Sequence, residues 1–363
     1  MSTPREISTA APAVVARQLW FTGENQVEVR EQLLPEPAAN ELLVEAICSS
    51  VSAGTELLLY RGQLPQHMSL DASLTSLQHA AKYPLQYGYA SVGRVARGGK
   101  NVAAEWQGKL VFAFQPHASH FAIPVDDVIP LPVELDTYDA VFLANMETAV
   151  NLVQDGGPGL GERVVVLGQG IVGLLLSSLL ARHPLGALYA VESLTARRAR
   201  ALQVGVQQVF DPTSAAEVNA LKERLSASSA GSGADLVYEV SGVPAALNLA
   251  IDLCGYHSRI VIGSWYGSKS ATIALGGDAH RNRLKIITSQ VSSLAPELSG
   301  RWDKARRFDL AWEMLRQVQP RKLITHRMTL DGAADLYAQL HRQSDRQGPG
   351  DIMQAIFEYP HSR

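Results

Sequence analysis

A run of glycines at 168–173 leaves this chain few ways to fold. The run is Gly168-Gln169-Gly170-Ile171-Val172-Gly173, with an apolar stretch at 164–167 before it and another at 171–182 after it. Three glycines at this spacing carry little information alone, because glycine turns are common. Between a strand and a helix each has a task. The first permits a tight turn, the second lets backbone approach a pyrophosphate, and the third lets the helix pack closely on the strand. The start of the new helix offers free N–H groups and the positive end of its dipole to phosphates. The run therefore predicts a βαβ unit holding a dinucleotide, with Gly168, Gly170, Ile171, Val172 and Gly173 at the pyrophosphate.

The next strand, at 188–191, is followed by Glu192, placed to bind both ribose hydroxyls of the adenosine. A 2′-phosphate would meet this carboxylate, so Glu192 favours NAD over NADP. Arg197 either stacks on adenine or neutralises a 2′-phosphate, and the sequence leaves both open.

Strand and helix patterns alternate around the fingerprint. Strands at 163–167, 188–191, 209–210, 236–240 and 259–262 are interleaved with helices at 171–182, 195–204, 215–225 and 244–254. That alternation predicts a parallel, doubly wound sheet. The Ser-Ala-Gly-rich patch at 226–233 reads as a loose surface connection. Earlier residues are β-rich, with short strands at 42–48, 90–95, 109–114 and 120–124, broken by Pro116 and Pro124. Residues 63–82 show no period and read as a long loop or loosely helical insertion, and 137–154 carry helical spacing. Beyond about residue 292 the alternation stops, leaving helices at 306–317 and 331–341 and a closing strand at 353–357.

At 363 residues the chain is too long for one ordinary core. Its formal net charge of -3 gives no field that attracts nucleic acid or anionic membranes. Two cysteines, Cys48 and Cys254, can build neither a disulfide framework nor a four-thiolate zinc lobe, and read as reduced, buried thiols. Residues 1–13 lack the apolar centre of a signal peptide, and no stretch approaches the ~20 apolar residues of a membrane span. A cytoplasmic location is expected.

The order of parts resembles the medium-chain dehydrogenase/reductase family over nearly the whole chain. Gly54-Thr55-Glu56 with Tyr60-Arg61-Gly62 is similar to the family's Cys-Gly-Thr-Asp-x-His element. Tyr83-Pro84-Leu85, Gly88-Tyr89-Ala90 and Gly93-Arg94-Val95 are similar to its Gly-His-Glu element, and Gly161-Glu162-Arg163-Val164 leads into the fingerprint in the family's manner. Gly233-Ala234-Asp235-Leu236-Val237 and Gly263 also fall where members have similar residues. The resemblance implies an α/β fold, with a β-rich GroES-like catalytic domain at 1–147, an inserted doubly wound Rossmann domain at 148–291 and a return to the catalytic domain at 292–363. It also implies a small-molecule substrate and a homodimer or homotetramer.

Zinc-dependent members hold a metal with a Cys, a His and a third Cys or Glu, and use it as a Lewis acid. Those positions fall here at Ala53, Tyr89 and near Ala144; the acidic residue after the His becomes Ala90, and the relay His becomes Leu58. No catalytic metal is expected. His117 and His120, and His67 and His79 in the long loop, read as surface or satisfied side chains.

Hydride transfer still needs a group to give or take the oxygen's proton. The resemblance puts Thr55 where members place the hydroxyl that bonds the reacting oxygen, and Tyr89 in the space of a zinc ligand. Tyr89 is the candidate acid with Thr55 as orienter, the alternative being that Tyr89 only fills volume. Glu56 is a further ionisable candidate, although a structural ion pair is its commoner role, and Glu147 reads as helix surface. Thr148 matches a threonine that packs on the nicotinamide, and Gly263 joins the cofactor set. Trp265 and Tyr266 suit either a pocket wall or interface core. The run Gly300-Arg301-Trp302-Asp303-Lys304-Ala305-Arg306-Arg307 reads as a solvated helix start, with contact to an anionic substrate as the alternative.

The Ser-Ala-Gly-Thr-Glu and Gly-Tyr elements are also similar to those of bacteriochlorophyllide dehydrogenases, which suggests a subgroup. Three functions follow: a zinc-independent alcohol/ketone oxidoreductase using NAD(H), a reductase of activated C=C bonds in enones or quinones, or a non-catalytic NAD-binding protein.

Overall fold

A computed structural model describes residues 13–64, 82–226, 232–344 and 351–360, and two sheets organise them. The first part opens on a hairpin, β1 (Val14–Gly23) and β2 (Gln26–Leu34), that turns at Asn25 in the left-handed region. Strand β3 (Glu41–Ser50), helix α1 (Ala53–Tyr60) and strands β4 (Ser91–Gly98), β5 (Leu110–Ala113), β6 (His120–Pro124) and β7 (Val128–Pro130) follow. Strands β3, β4, β5 and β7 pair antiparallel in that order, and β6 pairs with β3. Helices α2 (Thr137–Ala140) and α3 (Leu143–Gly156) then lead to the second sheet.

That sheet is parallel and six-stranded. Its strands are β8 (Arg163–Leu167), β9 (Ala187–Val191), β10 (Gln208–Phe210), β11 (Ala234–Glu239), β12 (Cys254–Ile262) and β13 (Lys285–Thr288). Helices α4 (Ile171–Leu180), α5 (Thr195–Gln203), α6 (Ala215–Ser226) and α7 (Ala246–Leu253) lie between strands. Val164, Val165 and Val166 are fully buried, as a strand covered on both faces requires. The order β10-β9-β8-β11-β12-β13 reverses between β8 and β11, which opens a crevice at their C-terminal ends.

An exposed segment then leads to α8 (Lys304–Val318), β14 (Ile324–Met328), α9 (Ala333–Ser344) and β15 (Gln354–Glu358). Strand β15 joins β3 with Phe357 opposite Ser49, so the end of the chain completes the first sheet. One core runs through both halves. Leu152 of α3 packs in the same cluster as Val164 and Leu175 of the second sheet's layers and Cys48, Phe112 and Ile356 of the first sheet. Truncating such a leucine to alanine costs about 2–5 kcal/mol. The division expected between residues 147 and 148 falls inside α3, which is a continuous helix that both halves share.

The doubly wound alternation matches the pattern read from the residues, but several elements carry no clear signal. The β1–β2 hairpin, β13 and β14 are exposed or half-buried along much of their length, so no apolar alternation marks them. The helix expected over 244–254 stops at Leu253, because β12 begins at Cys254. Residues 65–81 of the expected long loop, with His67 and His79, and residues 227–231 lie outside the described residues. Cys48 and Cys254 are free and buried. Among the described residues no helix is long and apolar enough to cross a membrane.

Candidate active site

The crevice between β8 and β11 begins at the glycine turn. Gly168 has φ +93°, and a Cβ there would stand 2.6 Å from the Cα of Ser241. At Gly173 a Cβ would lie 2.1 Å from the Gly168 carbonyl oxygen, so this glycine lets α4 press onto the turn. Gly170 differs from both. It caps α4 in extended conformation, and its Cβ would meet only the Arg197 guanidinium at 3.8 Å. Two glycines therefore serve the fold, and the middle one leaves the turn open on the outside. Ile171 and Val172 begin α4 half-buried against the main core.

Side chains tighten this turn. The buried Glu192 carboxylate accepts hydrogen bonds from the backbone N–H of Gln169 (2.8 Å) and Leu194 (2.9 Å). The Ser193 hydroxyl also reaches Oε1, at 3.4 Å, while Oε2 accepts from Gln169 alone and keeps room for a second donor such as a ribose hydroxyl. Two buried donors at the turn, Nε2 of Gln169 and Nε of Arg197, have no hydrogen-bond partner. Orphaned donors are expensive in a folded protein, and beside an open glycine they fit an anionic ligand. A nicotinamide dinucleotide fits the turn on these grounds.

The remaining cofactor candidates are more tightly built in. Thr148 spends its hydroxyl on the Ala144 carbonyl one turn back (2.9 Å). At Gly263 the space of a Cβ is filled by Leu152 (2.6 Å) and Val240 (3.0 Å), so close packing of α3 on β12 explains the glycine. Tyr266 donates its hydroxyl to the buried Glu239 carboxylate at 2.5 Å, and Ser241, which backs Gly168, donates its N–H to the same carboxylate at 2.8 Å. Burial and the neighbouring Glu239 carboxylate push the Tyr266 phenol well up. Trp265 is half-exposed beside it. No residue pattern pointed to Glu239.

The second part of the site lies at the start of α1. Ser52 occupies the N-cap position but makes no cap bond; its hydroxyl pairs with the phenol of Tyr89 instead. Ala53 is the next residue, so the two positions that the sequence resemblance sets against the first metal ligands come together here. Tyr89 packs against both the main core, which contains Ala144, and the core of the first sheet. Thr55 stands half-buried in the first turn of α1, and Leu58 is buried. Nothing in the local sequence marks Ser52 as a partner of Tyr89, since a serine before a helix usually signals a cap.

Glu56 is fully buried. Its carboxylate accepts from the Ser52 N–H (2.7 Å), sits 3.2 Å from Nε2 of His117 and accepts from the Tyr337 hydroxyl. His117 Nδ1 meets the Ser49 hydroxyl at 2.7 Å, and that hydroxyl meets Tyr359 at 2.7 Å. This closed network fixes the start of α1 from behind. His117 is thus a satisfied buried histidine, while His120 meets the Ser119 hydroxyl at 3.1 Å.

Two expectations are corrected. Glu147 is not helix surface: it is 2% exposed, with Lys304 Nζ at 2.6 Å and Arg307 Nε at 3.0 Å. The charged run before it in space is not simply a solvated helix start either. Asp303 caps α8 by accepting from the Arg306 N–H (2.7 Å), but Arg307 is fully buried and reaches Asn151 of α3 (2.5 Å) and the Ser293 carbonyl (3.2 Å). The run's spacing of charges could not reveal that one arginine faces inward onto α3.

Comparisons with known proteins agree with this architecture. A family model described as zinc-binding dehydrogenase matches residues 172–308. An uncharacterized zinc-type alcohol dehydrogenase-like protein of Escherichia coli K12, YphC, is 25% identical over 345 residues, covering 88% of this chain and 94% of that protein. A solved structure from Sinorhizobium meliloti 1021, of a candidate zinc-binding dehydrogenase bound to NADP, superposes with a TM-score of 0.74 at 18% identity, covering 95% and 99% of the two chains. An alcohol dehydrogenase from Escherichia coli CFT073 complexed with NADH gives 0.74 at 17% identity over 95% and 99%. The family model, YphC and the Sinorhizobium structure carry zinc in their descriptions, but Ala53 and Ala144 have no ligand atom and a phenol is a poor zinc ligand at neutral pH. Among the described residues no group of three His, Cys, Asp or Glu side chains could hold a metal. The donor set at this site does not fit zinc.

Proposed function

Because this chain resembles the medium-chain dehydrogenase/reductase family in sequence and fold, we propose that it is a zinc-independent oxidoreductase interconverting an alcohol and a ketone with NAD(H). The observation that carries the reading is the Ser52–Tyr89 hydroxyl pair beside Ala53, where zinc-dependent relatives begin their metal set. When bound, the nicotinamide supplies or accepts the hydride. Tyr89 gives the proton to the substrate oxygen in reduction and takes it in oxidation. Ser52 aims the phenol, Thr55 orients the same oxygen, and Glu56, held by His117 and Tyr337, keeps the start of α1 rigid. Glu56 is a positioning residue, since burial keeps it from substrate.

At the turn, Gly168, Gly170 and Gly173 seat the pyrophosphate, with Gln169 and Arg197 as donors. Glu192 at the end of β9 gives the preference for NAD over NADP. Thr148 and Gly263 shape the nicotinamide end through packing. A second copy pairs along the open edge of β13, where Ile286 is 42% exposed, because an unpaired strand edge is a template for association. Light scattering coupled to gel filtration reads that dimer directly. Two free, buried cysteines suit a reducing compartment, the cytoplasm.

The test is NADH and NADPH oxidation over ketones, enones and quinones, with metal analysis of the same sample. Ketone reduction by metal-free enzyme with an NADH preference is expected. Turnover confined to enones or quinones would move the reaction to C=C reduction. Stoichiometric zinc whose removal abolishes activity would overturn the zinc-free reading, and no turnover despite tight dinucleotide binding would favour a non-catalytic role.

A further inference from the structure

We propose that Tyr266 is a positioning residue for the nicotinamide half of the dinucleotide, acting through Glu239 on the wall of the crevice. The proposal rests on the dinucleotide reading of the glycine turn, and its test reads binding, not turnover.

Strand order divides the crevice into two halves. On one side of β8 lies β9, which ends just before Glu192; on the other lie β11 and β12. A dinucleotide crossing this switch point with its adenosine at Glu192 carries its nicotinamide half over the ends of β11 and β12. Glu239 is the last residue of β11, paired in the sheet with Leu167 of β8 and Ile262 of β12, and it is fully buried. A carboxylate in the middle of a parallel sheet is costly unless donors surround it.

The donors come from two directions. Oε1 of Glu239 accepts the Ser241 N–H (2.8 Å) and the Ser241 hydroxyl, and Oε2 accepts the Tyr266 hydroxyl (2.5 Å). Ser241 is exposed, and its Cα lies only 2.6 Å from where a Cβ on Gly168 would stand. One residue therefore touches the glycine turn and bonds the buried carboxylate. The Ser241 hydroxyl also accepts from the Val243 N–H (3.1 Å), closing a turn around Gly242, which has φ +74° and open space where a Cβ would be. Ser241 and Gly242 form the wall of the crevice on the nicotinamide side.

The segment that carries Tyr266 grips this wall and is itself held from outside. The Ser264 hydroxyl accepts from the Gly242 N–H (2.8 Å), and Lys269 Nζ reaches the Gly242 carbonyl (3.0 Å). On the far side the Ser268 N–H donates to the Gln63 carbonyl just beyond α1 (3.0 Å). Gly267, at φ +61°, packs there so closely that a Cβ would stand 2.5 Å from the same oxygen. A donor fixed by its own segment sets the orientation of the acceptor it bonds. Without the Tyr266 hydroxyl, Oε2 is left buried and short of its donor. The carboxylate then turns towards other donors and takes Ser241 with it. Glu192, beyond β8 at the end of β9, stays as it is.

The test titrates the full-length protein with NAD+ and with AMP by calorimetry, in wild type, Tyr266→Phe and Glu239→Gln. NAD+ binding should weaken about tenfold in both variants, while AMP, which lacks the nicotinamide half, should stay within about twofold. Phenylalanine keeps the ring and removes only the bond, and Glu239→Gln breaks the same relay if Tyr266→Phe folds poorly. A merely structural role would lower the melting temperature and leave the ratio of the two affinities unchanged. NAD+ binding equal to wild type in both variants overturns the proposal, as does an equal loss for NAD+ and AMP. A wild-type protein that binds no NAD+ overturns the dinucleotide reading itself, and the proposal with it.

Discussion

The Ser52 hydroxyl bonds the Tyr89 phenol although Ser52 stands at the N-cap of α1, where its usual partner would be a backbone N–H of that helix. A cap bond contributes about 1 kcal/mol, and here it is given up for a contact between two hydroxyls at the centre of the site. Tyr89→Phe should lower kcat about 10²-fold or more with little change in KM. Ser52→Ala should fall between that variant and wild type, and the double variant should be no slower than Tyr89→Phe alone. Steady-state kinetics decide it: unchanged turnover in Tyr89→Phe would reduce the phenol to a space filler.

The three glycines of the turn should separate by experiment. Gly173→Ala forces a Cβ to within 2.1 Å of the Gly168 carbonyl, so it should destabilise the fold by roughly 1–3 kcal/mol or more. Gly170→Ala meets no backbone. That variant should melt within a few degrees of wild type while its NAD+ Kd rises about tenfold, through lost approach of the pyrophosphate. Thermal melts paired with NAD+ titration distinguish the two.

Arg307 and Glu147 form a buried ion pair with Asn151 and two carbonyls around them. Arg307→Met leaves a buried carboxylate short of its best partner and should cost about 3–5 kcal/mol. Removing both charges, in Glu147→Met with Arg307→Met, should cost less than the sum of the single changes. Urea unfolding of the double-mutant cycle measures the coupling directly.

Alkaline pH should unfold the protein cooperatively. Burial raises the phenol of Tyr337, helped by the Glu56 carboxylate it bonds. The hydrogen bond to Glu358 pushes Tyr138 up to about 12, and burial pushes Cys254 up to about 12. These groups stay protonated in the folded chain at a pH where the unfolded chain releases the proton. Their stabilisation is therefore complete below the unfolded values, about 8.5 for Cys and about 10 for Tyr, and is lost as pH rises through the folded ones. The urea midpoint should fall above about pH 9, and tyrosinate absorbance should rise together with unfolding. Tyrosinate forming well before unfolding would contradict the burial described.

The second sheet was legible because it is buried on both faces. Continuous apolar runs such as 164–167, each followed by a helical pattern, state their own structure. The glycine turn was readable for the same reason: its two outer glycines answer to steric demands that any βαβ unit imposes. Strands β2 and β13 left no such trace, since exposed edges place few demands on side chains. At the site, the loss of ligand atoms at Ala53 and Ala144 was visible residue by residue. What spacing could not supply was partnership. Ser52 with Tyr89, Glu56 with Tyr337, and Glu147 with Arg307 each join residues far apart in sequence, and no local pattern encodes which distant side chain will arrive.

The late arrival of β15 shapes how the chain must be made. Ser49 finds Tyr359 310 residues downstream, and although β6 covers β3 at Glu41–Glu45, the stretch Cys48–Ser50 is covered only when β15 docks. During synthesis the doubly wound half has all its strands in hand long before the first sheet can close. The nascent N-terminal part must wait with an open edge and an unfinished Ser49–His117–Tyr359 network. Loss of β15 would then act on β3, a strand made some 300 residues earlier, leaving a polypeptide prone to pair with its neighbours on the ribosome.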